Sequence, residues 1–387
     1  MAAESVVSSA RRMSAATKTA GNDPLPRVQA LDGVRGLAIL TVMIHHFTML
    51  PHGPKLDDAV HAVCRLGWTG VDLFFVLSGY LITSILVEYK GDSRYFSTFY
   101  ARRFLRIFPL YYAVLLLVLV ILPRFVQVGE VHGSPIWFWL HASNIRFAIW
   151  GFMHRSLNIC WSLAIEEQFY LVWPLVVHLT PREKLTRVCL AFFGASVLCR
   201  FGLELAGAPF ATTYVATPAR LDGLSLGAFL ACLPFEKLKA SRRTAMFVAA
   251  GGALVSLAVV AYARAPNMER RFGPTVGYAA LAIMWSGVLV LALTVPRVTR
   301  VFTWRGLVTL GKYSYALYLF HTTVSYLVKD YLFGPERWPV VGRSYLPGQL
   351  LFFLISGGIT FALAWVSWRI LEEPLLRLKK HFRYARM

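Results

Sequence analysis

Gly70-Val71-Asp72-Leu73-Phe74-Phe75-Val76-Leu77-Ser78-Gly79-Tyr80-Leu81-Ile82 opens an apolar run that continues to Val87 with a single charged side chain. About 20 largely apolar residues are enough to cross the hydrocarbon core of a bilayer as a helix. Working outward from this run, similar stretches fall at roughly 34–50, 67–87, 105–122, 160–178, 186–205, 221–234, 244–264, 274–295, 308–330 and 348–370. The first and sixth are short, and the fourth carries charge. Helices satisfy their own backbone groups in lipid, so the reading is an all-α, polytopic transmembrane helical bundle of about ten spans.

Composition leads to the same class. Apolar and aromatic residues make up 57% of the 387 residues and charged residues only 16%, against about 25% charged in soluble domains. A soluble enzyme, a disordered chain and a disulfide-stapled secreted module are excluded. The formal charge of +20 does not call for nucleic acid, because cytoplasmic loops of membrane proteins gather Lys and Arg. With a cytoplasmic N-terminus, 27 of the 40 Lys and Arg residues fall on the inner side. That twofold bias predicts both termini inside. Residues 1–30 read as a disordered cytoplasmic tail, 31–376 as one membrane domain and 377–387 as a basic cytoplasmic tail. The outer segment 123–159, with Trp137, Phe138, Trp139, Phe147, Trp150 and Phe152, is expected to lie in the interface or over protein. Cys64 and Cys160 share the outer side in this topology and are the pair open to a disulfide.

Ionisable residues inside spans are costly and mark functional sites by default. In the first span Arg35 and His46 are eleven residues apart, which returns them to one helix face about 16 Å apart along the axis. The fourth span holds Glu166 and Glu167 side by side. Two carboxylates there cannot both face lipid, and their depth from the outer end is comparable to that of His46. A buried histidine near a carboxylate is the minimum apparatus for activating a hydroxyl. His321 follows Tyr313, Ser314, Tyr315 and Tyr318 on a polar stripe of the ninth span. Arg102, Arg103 and Arg106 form a cationic face by helical spacing, suited either to phosphates or to anionic lipid. Asp72 is expected to pair with an arginine, and Ser78-Gly79 to mark close helix packing.

These motifs together resemble acyltransferase family 3, the integral membrane O-acyltransferases. The match runs from Leu31-Asp32-Gly33-Val34-Arg35 through His46, then Gly70–Ile82, Arg102–Pro109, Trp161-Ser162-Leu163 with Glu166 and Glu167, Tyr313-Ser314 through His321, and Trp368–Pro374. The resemblance implies transfer of an acyl group, usually acetyl from acetyl-CoA as co-substrate, to a hydroxyl of a sugar-containing acceptor such as a surface glycan, a lipo-oligosaccharide or a macrolide. It implies no permanently bound cofactor and no metal, and a bacterial cytoplasmic membrane as habitat. Arg35 and His46 occupy the family's essential positions. Some members carry a further extracytoplasmic hydrolase-like domain; none is read here, so the acceptor is expected to reach the membrane core directly. In this reading His46, Arg35, Glu166, Glu167 and His321 serve catalysis. Arg35, Arg102, Arg103 and Arg106 hold acyl-CoA, and a glutamate orients the His46 imidazole. The rival is a transporter of an anionic metabolite, which would use the same residue types; the lack of an internal sequence repeat weighs against it.

Overall fold

The computed structural model describes residues 25–48, 53–127, 133–152, 154–334 and 338–385, and among them the chain is helical with one isolated β-bridge, Val341 to Ser344. The principal helices are α1 (Leu25–Phe47), α2 (Lys55–Arg65), α3 (Gly70–Glu88), α4 (Tyr95–Leu116), α5 (Cys160–Leu179), α6 (Arg182–Leu205), α7 (Leu221–Ala231), α8 (Arg242–Ala263), α9 (Gly273–Thr294), α10 (Arg305–Val328) and α11 (Leu346–Ser367). Of the expected N-terminal tail, residues 1–24 lie outside the described residues, and Leu25 already begins α1.

Among the described residues, six helical stretches are long and apolar enough to cross a membrane: 55–88, 95–124, 182–205, 242–263, 273–294 and 346–381. The other segments read as spans are also helical, and each differs from these for a visible reason. Helix α7 has only 11 residues. Helices α1, α5 and α10 carry Arg35, His45 and His46, then Glu166 and Glu167, then Lys312 and His321, which lower their mean hydropathy.

Two tight crossings organise the interior. Helix α1 lies against α10 so closely that a side chain at Gly36 would overlap the Leu307 carbonyl, and one at Gly311 would overlap that of Asp32. On the neighbouring pair, Gly79 of α3 meets the Leu224 carbonyl of α7, and Gly227 of α7 meets that of Val76. Small residues let helix backbones approach where lipid supplies no hydrophobic drive, so Gly79 does mark close packing. Two buried ion pairs lock the same region. Arg220 meets Asp72 at 2.7 Å and Arg200 meets Asp222 at 2.8 Å, with every partner at most 2% exposed. The Tyr278 ring lies 4.4 Å from the Arg220 guanidinium. Asp72 is thus architectural, joining α3 to the turn that precedes α7.

Among its described residues, the aromatic segment 123–159 contains two short helices, Ile136–Trp139 and Ser143–Trp150. Tyr111 and Tyr112 of α4 donate hydrogen bonds to the Phe138 and Trp139 carbonyls at 2.8 and 3.0 Å. Phe138 and Phe147 are fully buried while Trp150 stays exposed. The five cysteines are free, so the Cys64–Cys160 bridge is absent; Cys160 is buried instead.

Candidate active site

Between α1, α3, α4, α5 and α10 lies a cavity of about 120 Å³. Its charged lining is Arg35, Arg103, Arg106, Glu166 and Glu167; its hydroxyls come from Ser78, Ser162, Tyr170, Ser314, Tyr315 and Tyr318. Apolar side chains such as Phe74, Leu81, Ile82 and Ile107 complete the wall. Both glutamates therefore face one cavity. Adjacent residues on a helix diverge by about 100°, so the space between five helices must be wide enough to receive both.

Glu166 sits in a chain of hydroxyls. Tyr170, one turn further along α5, donates to Glu166 Oε2 at 3.1 Å, and Ser78 Oγ lies 2.5 Å from the Tyr170 hydroxyl. Gln168, which follows the two glutamates, is tied elsewhere: it donates to Asn144 Oδ1 at 2.9 Å and to the His141 carbonyl at 3.1 Å. That contact pins α5 to the segment that holds His141 and Asn144 and fixes the rotation that turns the glutamates inward. Arg103 lies 5.7 Å over the Tyr170 ring. Arg106 pairs with Glu372 at 3.9 Å and Arg35 with Asp32 at 2.7 Å.

The imidazoles form a separate unit. His321 Nδ1 lies 2.7 Å from the Tyr318 carbonyl, and His321 Nε2 lies 3.3 Å from His46 Nδ1, which is itself 3.0 Å from the Val42 carbonyl. A carbonyl oxygen only accepts, so His321 carries its proton on Nδ1 and offers a lone pair at Nε2. His46 Nδ1–H then donates to that lone pair and to Val42 together. The assignment follows from the network, and it leaves Nε2 as the basic nitrogen of His46. Tyr318 links this unit to the cavity: its side chain lines the cavity, its hydroxyl is 2.6 Å from Ser162 Oγ, and its carbonyl holds His321.

Against this geometry, the acyltransferase domain family matches residues 28–369. The chain belongs to the acyltransferase family. This acyltransferase is 28% identical over 373 residues to the peptidoglycan O-acetyltransferase OatA of Listeria monocytogenes, covering 90% of the chain and 56% of the relative. It is likewise 28% identical over 379 residues to YrhL of Bacillus subtilis, covering 90% and 55%. The acyltransferase therefore spans about half the length of these curated relatives. No solved structure matches it.

The acyltransferase brings together Arg35, Arg103, Arg106, Glu166 and Glu167, and separately His46 and His321. Two placements differ from what the spacing alone suggests. The His46 Nδ1 contacts are the Val42 carbonyl at 3.0 Å and His321 Nε2 at 3.3 Å, while Glu166 is engaged by Tyr170 and neither glutamate bonds His46 among the described residues. Arg102 does not line the cavity: its Nε donates to the Phe382 carbonyl at 2.9 Å, since it points from α4 to the C-terminal segment. Tyr170 was legible from its four-residue spacing to Glu166, whereas the Ser78 contact spans 92 residues and leaves no local signal.

Proposed function

We propose that this chain is a membrane O-acyltransferase that moves an acyl group, acetyl in the first instance, from acyl-CoA to a hydroxyl of a sugar-containing acceptor. The observation that carries the reading is the pairing of a cavity lined by Arg35, Arg103 and Arg106 with a histidine whose basic nitrogen is fixed by a second histidine. Arginine forks suit phosphate oxygens, which supports a reading with the donor's diphosphate at Arg103 and Arg106 and its thioester deeper, toward Glu166 and Tyr318. His46 Nε2 takes the proton of the acceptor hydroxyl as its oxygen forms a bond to the thioester carbonyl carbon. The carbon–sulfur bond breaks, and the departing thiolate leaves as CoA after taking that proton. The Ser162 and Tyr318 hydroxyls stand at the joint between cavity and imidazoles, where they bond each other and the Ile159 carbonyl.

Ten spans with both termini in the cytoplasm, in a bacterial inner membrane, complete the reading. The basic end of the cavity then opens to the compartment that holds acyl-CoA, and His46 lies toward the acceptor side. A glycan is the acceptor class suggested by the names of the relatives.

The test uses purified protein in lipid with acetyl-CoA labelled on the acetyl group, and compares the chain with its His46→Ala variant. Free CoA release and transfer of label to added glycan are followed together. Removing a general base costs about 10²- to 10⁴-fold, so release by the variant is expected to fall to background. Release unchanged in the variant would remove His46 from the mechanism. An anionic metabolite carried across vesicles with no acyl-CoA requirement would favour transport.

A further inference from the structure

The segment after the last long helix is fastened across the basic end of α4. The turn Leu378–His381 packs on α4, Arg102 Nε donates to the Phe382 carbonyl, and Thr98 Oγ1 donates to the Arg383 carbonyl at 3.3 Å. Tyr384 stacks on Tyr89 with ring centroids 3.7 Å apart and planes 2° apart. These ties hold Lys379 within the field of Arg35, Arg102, Arg103 and Arg106. Arg35 has Asp32 and Arg106 has the longer contact to Glu372. Arg102, Arg103 and Lys379 form no ion pair among the described residues. Like charges held this close repel one another, and a ligand with several negative charges relieves that repulsion.

Acyl-CoA carries two phosphate-bearing points at different distances from the thioester: the diphosphate, and beyond it the ribose 3′-phosphate. Arg103 and Arg106 line the cavity, whereas Arg102 and Lys379 lie outside that lining. Building on the acyl-CoA reading above, we propose that Lys379 and Arg102 form the rim of the donor site and hold the ribose 3′-phosphate, while Arg103 and Arg106 hold the diphosphate. The C-terminal turn is then part of the donor site and sets its preference for the 3′-phosphorylated coenzyme.

The experiment measures binding of CoA and of 3′-dephospho-CoA to the full chain in phosphatidylcholine nanodiscs, for the unaltered protein and for Lys379→Met and Lys379→Arg. Loss of one charge-assisted contact weakens binding about tenfold or more. Lys379→Met is expected to lose that factor for CoA and none for 3′-dephospho-CoA, and binding of the latter shows that the variant is folded. Lys379→Arg is expected to stay near the unaltered protein. Equal loss for both ligands, or no loss for either, overturns the assignment while leaving the acyl-CoA reading intact. If the unaltered protein binds neither ligand, the acyl-CoA reading itself falls. Should the Lys379→Met difference appear only when phosphatidylglycerol is added, the lysine serves a lipid headgroup and the assignment fails.

Discussion

Helices α6 and α8 differ from α1, α5 and α10 in what each chain segment asks of its surroundings. Only 17% of the apolar window of α6 and 22% of that of α8 is buried within the protein. Leu198 and Leu254, at 69% and 68% exposed, stand on the surface expected to face lipid. In α10, by contrast, His321 is fully buried and Tyr313, Ser314 and Tyr318 are nearly so. A helix of the first kind is stable in a bilayer alone, whereas one of the second kind needs neighbours that satisfy its polar groups. The polar helices are the ones that fail a simple test of length and hydropathy, and they supply most of the charged lining of the cavity. Poor transmembrane character is here a sign of chemistry.

Substitutions can break this contrast at several points. The largest effect on stability is expected from Asp72→Ala, which leaves Arg220 buried without its 2.7 Å partner. Removing one member of a buried pair costs about 3–5 kcal/mol, so yield from the membrane and thermal stability of the purified protein should both drop. Stability equal to that of the unaltered protein would show that water or lipid headgroups reach Arg220.

A smaller effect, confined to turnover, is expected at His321. His321→Leu removes the acceptor that orients His46 and should lower kcat by roughly 10²-fold, the low end of what general-base catalysis supplies. KM for acyl-CoA should change little, because the arginines are untouched. His321→Gln can still donate to the Tyr318 carbonyl and accept from His46, and should recover part of the rate. Equal rates for the Leu and Gln variants would reduce His321 to a packing residue. The smallest effect should come from Leu198→Ala on the exposed face of α6. A substitution at such a surface is expected to move stability by about 0.5 kcal/mol or less, and a larger loss would mean that α6 packs against another protein.

The sequence carried the helical class, the apolar shell and the polar residues that matter, because each is written in local composition. Arg35 and His46 sit on one helix, and periodicity expects them on one face; Arg35 lines the cavity, whereas His46 meets His321 outside that lining. Partners distant in the chain were not legible. His46 and His321 are 275 residues apart and Arg102 and Phe382 are 280 apart. Periodicity speaks only about one helix at a time, so it points to a carboxylate at similar depth and is silent on the imidazole that His46 contacts. Lys379 is not legible for a different reason: basic residues near a cytoplasmic end are expected from topology alone, so its residue type does not single out one position.

The pairing of Asp72 with Arg220 also has a bearing on how the chain is made. The two residues are 148 positions apart, so α3 is synthesised well before its counter-charge exists. An acidic side chain entering the bilayer alone costs up to about 2.5–3.5 kcal/mol. That debt stands until the turn before α7 arrives with Arg220, and Arg200 of α6 waits in the same way for Asp222. Assembly of the interior is therefore ordered in time: the halves of the ion-pair cluster are delivered separately, and the crossing of α3 with α7 can close only after both have been inserted. A chain released before residue 220 would hold both Asp72 and Arg200 in its membrane segments without their counter-charges.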